Sequence, residues 1–401
     1  MSSPNGLQEE LEAGLRNGDL SLLTRRMLDV TVDYPELKGL RQQALFLRKQ
    51  YLETEDNPGT QNNRQEILVK AQDFASHLMT VMPQSTEASN EPGSPVVLAK
   101  NISKQFVKGK KPFHLLPLDA RLEPGQITGV VGENGNGKTT LLRMLAGDMA
   151  CSTGTISYPA MHVESDDWYH IKQKLAFIPQ RIPRWYGSLA DNLHFFTTIH
   201  GITGRENEEH VDFILYRLGL DRFRDLKWTE ISSGYRLRFE FAKMMLRRPQ
   251  LLILDEPLAN LDINAQQLFL QDIKFFVQSK SNPMSVVLSS QNLYEIEQVA
   301  SHIIFIKQGK TLYNGSRAEF GKDREGNSFE LAGSFTLAEL SRCLQSMEGA
   351  TVEDTGTSFI VKTTTVHKIY DIVSLLEKES LDLGYIRDIS RSARKLFHKD
   401  M

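Results

Sequence analysis

Apolar positions along the chain change their period twice. Up to residue 83 they recur at helical spacing: Leu7 with Leu11, then Leu20, Leu23 and Met27, then Leu37, Leu40, Ala44, Leu47 and Tyr51, then Ile67, Ala71, Phe74 and Leu78. Breaks fall at Asn17-Gly18, before Pro35 and at Asn57-Pro58-Gly59, and Asp19 is placed to cap the second helix. The pattern predicts an antiparallel bundle of about four helices over 1–83, whose stripes form its own core.

The stretch Pro83 to Pro95 is rich in Pro, Ser, Gly and Glu. That composition reads as a flexible linker over 84–95, with the bundle tethered to the next domain and not fused to it. From 96 to 320 the texture becomes α/β. Short apolar runs (Ile127 to Val131, Leu175 to Ile178, Leu251 to Leu254, Ser285 to Leu288, Ile303 to Ile306) alternate with helical stretches, as buried strands do. A polar joint covers 321–333. A small α+β domain occupies 334–401: helix (Thr336 to Ser346), strand (Ala350 to Asp354), strand (Phe359 to Lys362), helix (Val366 to Glu379), strand (Tyr385 to Ile389) and helix (Ser392 to His398). Thr355-Gly356-Thr357 turns the hairpin between its adjacent strands.

Composition narrows the function classes. The 401 residues are 40% hydrophobic and 24% charged, with a formal net charge of −3. No basic surface for nucleic acid is expected. Lys108, Lys110 and Lys111 make only a short run, read as a solvated loop. Cys151 and Cys343 stand far apart without metal-ligand spacing, so neither a disulfide framework nor a zinc site is expected, and the reducing cytosol suits the chain. The polar N-terminus lacks a signal-peptide core, and no run of about 18 apolar residues occurs.

The chemistry is concentrated after two of the strands. Gly132-Glu133-Asn134-Gly135-Asn136-Gly137-Lys138-Thr139 follows an apolar strand and opens a helix beginning with Thr140, the context of a phosphate-binding loop. Glycines let the backbone N–H groups curl toward phosphate oxygens, and the helix N-terminus adds partial positive charge. Lys138 is placed for the β- and γ-phosphates and the Thr139 hydroxyl for Mg²⁺. The apolar strand Leu251 to Leu254 ends in Asp255 and Glu256. Asp255 is placed to hold Mg²⁺ and Glu256 to polarise an attacking water. ATP with Mg²⁺ is the expected ligand.

With these motifs in order, 96–320 resembles the nucleotide-binding domain of the ATP-binding cassette (ABC) family, a P-loop NTPase fold. The resemblance implies further roles. Phe106 matches the aromatic residue that stacks on adenine. Gln180 matches the glutamine that contacts Mg²⁺ and the attacking water. Ile231-Ser232-Ser233-Gly234-Tyr235 matches the signature, whose Ser232, Ser233 and Gly234 face the γ-phosphate held by a second subunit. Leu261-Asp262 matches the D-loop. Two domains then close head-to-tail around two ATP, as a homodimer or with a close relative. Two departures stand out. Ser233 replaces a glycine, which would cost energy if φ were positive there. Gln291 replaces the usual histidine at the γ-phosphate. Glutamine donates a hydrogen bond but cannot become cationic, so slower hydrolysis is expected.

The helix after the signature and the ending Gly384 to Lys399 resemble ATPase subunits of drug-resistance-type exporters. The first reading is therefore a transporter motor, cytoplasmic and peripheral to a membrane. It would dock on separate transmembrane subunits through Gln180 to Ser188, where Arg181 to Tyr186 offers aromatic and arginine contacts. The alternative is a soluble ATP-controlled switch or assembly device acting through a partner of the N-terminal bundle.

Overall fold

The structure, a computed structural model, describes residues 6–56, 61–82, 93–107, 112–279, 282–320 and 326–389. The chain divides into two compact units, Met1–Gln291 with Phe305–Leu312, and Asn292–Ile304 with Tyr313–Met401.

The first unit opens with α1 (Gly6–Asn17), α2 (Leu20–Asp33), α3 (Arg41–Asp56) and α4 (Gln61–Val81). Gly18 turns the chain at φ +62. Asp19 caps α2 as its position suggests, accepting from the Leu22 N–H at 2.9 Å, a contact worth ~1 kcal/mol. Pro35 opens a 3₁₀ turn, Pro35–Leu40, that leads into α3. The apolar stripes converge as expected: Leu11, Leu23, Met27, Ala44, Ala71 and Leu78 are fully or almost fully enclosed, and Leu40 packs at the margin.

The α/β part begins with the hairpin β1 (Val97–Phe106) and β2 (Phe113–Leu122). Next, β3 (Ile127–Val131) runs through the glycine loop into α5 (Lys138–Leu145). Then come β4 (Thr153–Ser157), α6 (Trp168–Lys174), β5 (Leu175–Ile178), α7 (Leu189–Ile199), α8 (Gly204–Leu218) and α9 (Ser233–Met245). The chain continues through β6 (Leu251–Leu254), α10 (Ile263–Gln278), β7 (Ser285–Ser290), α11 (Leu293–Glu297), β8 (His302–Lys307) and β9 (Lys310–Ser316). A six-stranded sheet has the order β5-β6-β7-β3-β8-β9, and a three-stranded antiparallel sheet the order β2-β1-β4. β5, β6, β7 and β3 pair in parallel, so their C-terminal ends lie together. Every residue of β6 is fully enclosed, which is why it reads as an unbroken apolar run.

The expectation of a tethered bundle is corrected. Residues 83–92 lie outside the described residues, but the bundle itself is welded to the α/β part. Phe213 of α8 packs on the bundle core. Asp29 of α2 accepts from Arg217 Nε of α8 at 2.6 Å, and Arg217 Nη1 reaches Asp272 of α10 at 3.1 Å. Arg48 Nε of α3 donates to the Tyr216 carbonyl at 3.0 Å, and the Ser279 hydroxyl bonds to Asp33. Composition of a connecting segment says nothing about the surfaces at its two ends. Asp29 and Arg48 are polar positions that a stripe reading gives to solvent; here they are buried because their partners are buried with them.

The second unit carries a four-stranded antiparallel sheet of order β11-β12-β10-β13. Besides α11 and the outer parts of β8 and β9, its elements are β10 (Asn327–Gly333), α12 (Leu337–Cys343), β11 (Thr351–Asp354), β12 (Phe359–Thr363), α13 (Ile369–Lys378) and β13 (Leu383–Asp388). The expected helices and strands up to residue 389 are present; the last expected helix, 392–398, lies outside the described residues. The stretch read as a joint over 321–333 is corrected from residue 327 on. β10 pairs with both β12 and β13, and Phe329 and Leu331 point into the core. Its polar first residues and its terminal glycine hid a two-residue apolar alternation.

Candidate functional site

The site gathers where β3, β6 and β7 end. Gly135 and Gly137 take φ of +80 and +102, a region open to glycine, which lets the loop curl before α5 begins. A side chain at Gly132 would run into the Ile306 carbonyl, and one at Gly137 would meet the Phe113 ring at 2.9 Å. Asn136 fastens the loop by accepting from the Gln308 N–H at 2.9 Å. Glu133 and Asn134 form its exposed crest. Thr140 continues the first turn of α5.

Lys138 is almost fully buried and folds back over its own loop, donating to the carbonyls of Gly132 at 2.7 Å and Glu133 at 3.1 Å. Its ammonium pairs with Glu256 Oε1 at 3.0 Å. The other carboxylate oxygen of Glu256 accepts from Gln180 Nε2 at 2.9 Å and Gln291 Nε2 at 3.1 Å. Three sequence-distant donors thus converge on one carboxylate. Glu256 is held at φ +47, a left-handed conformation that costs a non-glycine residue ~1–2 kcal/mol. Its N–H donates to Ser289 Oγ at 2.9 Å, which helps to fix that turn.

Asp255 is 3% exposed and accepts from the Thr139 hydroxyl at 3.2 Å and from Ser289 Oγ at 2.8 Å. Among the described residues no three His, Cys, Asp or Glu side chains make a self-contained metal site. Thr139 and Asp255 are instead the partial oxygen set that suits Mg²⁺, which keeps waters and completes its shell with phosphates. The residues fit the ion. Gln180 turns its amide to Glu256 beside them.

Phe106 stands at the end of β1, opposite Phe113 in the hairpin register, with ring centroids 6.4 Å apart. Both rings are half-buried, and Phe113 reaches Gly137. An aromatic wall therefore flanks the loop. Pattern reading picked out Phe106 and missed Phe113. It also missed Ser289, the hydroxyl that ties Asp255 to the Glu256 backbone. Ser289 follows the apolar run Ser285 to Leu288 and carries no motif of its own, and only its bonds to Asp255 and the Glu256 N–H show where it points.

The signature residues gather elsewhere. Ser232 caps α9, accepting from the Tyr235 N–H at 3.4 Å. Ser233, Gly234, Asn260 and Asp262 share with it a concavity of about 320 Å³ that no glycine-loop residue lines. Ser233 is not in the left-handed region, so its replacement of glycine brings no strain. Its hydroxyl donates to the Asn260 carbonyl at 3.0 Å, tying the signature to the D-loop. Asp262 caps α10 through the Ala265 N–H at 2.9 Å. One chain thus presents a phosphate loop and, apart from it, two exposed helix N-termini.

The loop expected to dock a partner is partly core. Trp185 is 6% exposed, stacks on Trp228 at 4.9 Å and donates to buried Glu240 at 2.9 Å. Its aromaticity serves packing. Tyr186, at 79% exposure, remains outside, with Arg184 over its ring.

Comparison with known proteins agrees with this geometry. A family model described as ABC transporter matches residues 115–259. The chain is 26% identical over 231 residues to the Bacillus subtilis ABC transporter ATP-binding protein NatA, covering 55% of this chain and 89% of that one. It is 28% identical over 222 residues to the linearmycin resistance ATP-binding protein LnrL of the same organism, covering 55% and 69%. Among solved structures, cbiO1 from Clostridium perfringens, part of the ABC transporter complex cbiONQ, superposes with a TM-score of 0.51 at 19% identity. It covers 57% of this chain and 92% of that one. That likeness concerns the fold.

Proposed function

The chain carries an ATPase domain of the ATP-binding cassette family, of the transporter type, and from that premise we propose that it is the motor subunit of an exporter. Two copies close head-to-tail around two ATP and drive separate transmembrane subunits at the cytoplasmic face of a membrane. No helix among the described residues is long and apolar enough to cross a membrane. LnrL, a resistance protein by name, supports export as the direction.

The observation that carries the ATPase part of the reading is the convergence of Lys138, Gln180 and Gln291 on Glu256. Lys138 and the loop amides receive the phosphates, and in doing so draw the ammonium away from Glu256. The freed carboxylate becomes the acceptor for a proton of the attacking water, with the Gln180 and Gln291 amides holding it in place. Mg²⁺, when bound, neutralises charge building on the phosphate oxygens, and Thr139 and Asp255 would hold it. The Phe106–Phe113 wall orients the base. The exposed N-terminus of α9 at Ser232 and Gly234 is free to cap the γ-phosphate on a second copy.

Purification from membranes in mild detergent tests the assignment. Stoichiometric recovery of a polytopic membrane protein is expected. Recovery of soluble partners alone, dependent on the N-terminal bundle, would replace the motor with the switch.

A further inference from the structure

The weld between the bundle and the α/β part holds more positive charge than it neutralises. Arg217, fully buried, bridges Asp29 and Asp272. Arg26 pairs with Asp29 at 2.8 Å, and Arg25 and Arg238 approach Asp272 at 3.9 and 3.5 Å. Arg48 is 3% exposed and its bonds go to neutral oxygens: the Tyr216 carbonyl, the Ser21 carbonyl at 3.3 Å and the Thr24 hydroxyl at 3.2 Å. Of these five guanidiniums four reach Asp29 or Asp272 and Arg48 reaches neither, while half-buried Glu10 closes on Arg26. Burial pushes the Arg48 guanidinium down to about 9, with Arg25 and Arg217 adding to the effect and Tyr51 and Glu55 opposing it. An uncompensated buried charge is costly, and a counter-anion relieves the cost.

A cavity of about 230 Å³ lies against this excess, far more than the ~10–15 Å³ that admits one water. Arg25, Arg48 and Arg238 line it, with Lys49 and Arg222 exposed at its rim. Arg238, 7% exposed, keeps a buried Nε–H with no hydrogen-bond acceptor. The acids of the lining are weaker opponents. Asp221 is engaged by Arg224 at 2.9 Å, Glu55 accepts from the Tyr51 hydroxyl, and Glu53 is exposed. Guanidiniums in this number suit the forked oxygens of phosphate better than any neutral ligand.

We propose that this cavity binds a small phosphate-bearing anion, at a site separate from the nucleotide loop. The anion completes the charge balance between the bundle and helices α8 and α10. Its walls include Tyr235 and Arg238 of α9, the helix that Ser232 caps.

Titration calorimetry of the full chain with inorganic pyrophosphate tests this. The nucleotide loop is a competing site, so two variants are compared. Lys138→Ala retains pyrophosphate binding at the cavity, and in that background, where the loop no longer competes, Arg48→Met weakens it about tenfold or more, as loss of a charged hydrogen-bond donor implies. Lys49→Glu, an exposed rim change that leaves the core intact, weakens it by about threefold or more and serves if Arg48→Met does not fold. Binding that is lost in Lys138→Ala, or that is unchanged in both Lys49→Glu and a folded Arg48→Met, overturns the proposal.

Discussion

Lys138 and Glu256 form a buried ion pair, Nζ to Oε1 at 3.0 Å, across the mouth of the phosphate loop. The carboxylate proposed to act on water thus faces the cation proposed to receive the γ-phosphate. Binding nucleotide means separating them. Glu256→Gln removes both the base and the competitor for Lys138. Hydrolysis falls by ~10²–10⁴-fold, the usual worth of a general base. ATP affinity holds or improves. Single-turnover hydrolysis beside equilibrium binding of a fluorescent ATP analogue checks both; a loss of binding equal to the loss of rate would contradict the pairing argument.

Gln291 donates to the same carboxylate at 3.1 Å. An amide keeps that contact but adds no positive charge near the γ-phosphate. Gln291→His therefore raises steady-state turnover by about 2- to 10-fold, and Gln291→Ala lowers it by a similar factor, the size of one hydrogen bond. Turnover that does not rise with histidine would show that Gln291 is no handicap.

Ser289 joins Asp255 to the backbone of Glu256. It touches no expected ligand itself, so it positions the carboxylates. Ser289→Ala weakens apparent Mg²⁺ affinity by ~10–100-fold, as loss of a supporting partner does. Mg²⁺ titration of ATPase activity reads this as a shifted midpoint, which Ser289→Thr, retaining the hydroxyl, restores in part. An unshifted midpoint with a lower maximum would assign Ser289 to packing alone.

Much of this site was legible because motif chemistry is local. A phosphate loop must follow a strand and open a helix, so residues 132–140 announced themselves. What pairing brings together was not local. Ser289 and Phe113 enter the site from neighbouring strands, and no spacing rule points to them. Within Arg181 to Tyr186, Trp185 misled because Trp suits a core and an interface equally; only Glu240, far along the chain, decides. The bundle was legible as helices and illegible as a docked element, since Asp29, Arg217 and Asp272 look like ordinary surface charges until they meet.

That meeting carries a stability prediction. Arg217→Met leaves Asp29 and Asp272 buried without their shared partner. Breaking a buried pair on one side costs ~3–5 kcal/mol. Thermal unfolding of the full chain then begins several degrees lower, by ~2–4 °C per kcal/mol for a domain of this size. Asp29→Asn combined with Arg217→Met recovers part of the loss, and a strictly additive double variant would show that the two residues do not share one network.

The central claim is that the loop at Gly132 to Thr139 is half of a site, completed by Ser232 and Gly234 of a second copy. The most direct measurement is the solution mass of Glu256→Gln with Mg²⁺ and ATP. Without nucleotide the mass is that of one chain, 45.5 kDa; with ATP it doubles. Adding Gly234→Asp, which places a carboxylate at the N-terminus of α9 against the γ-phosphate, returns it to one chain. A mass that stays at one chain with ATP, or a dimer that ignores Gly234→Asp, would contradict the account.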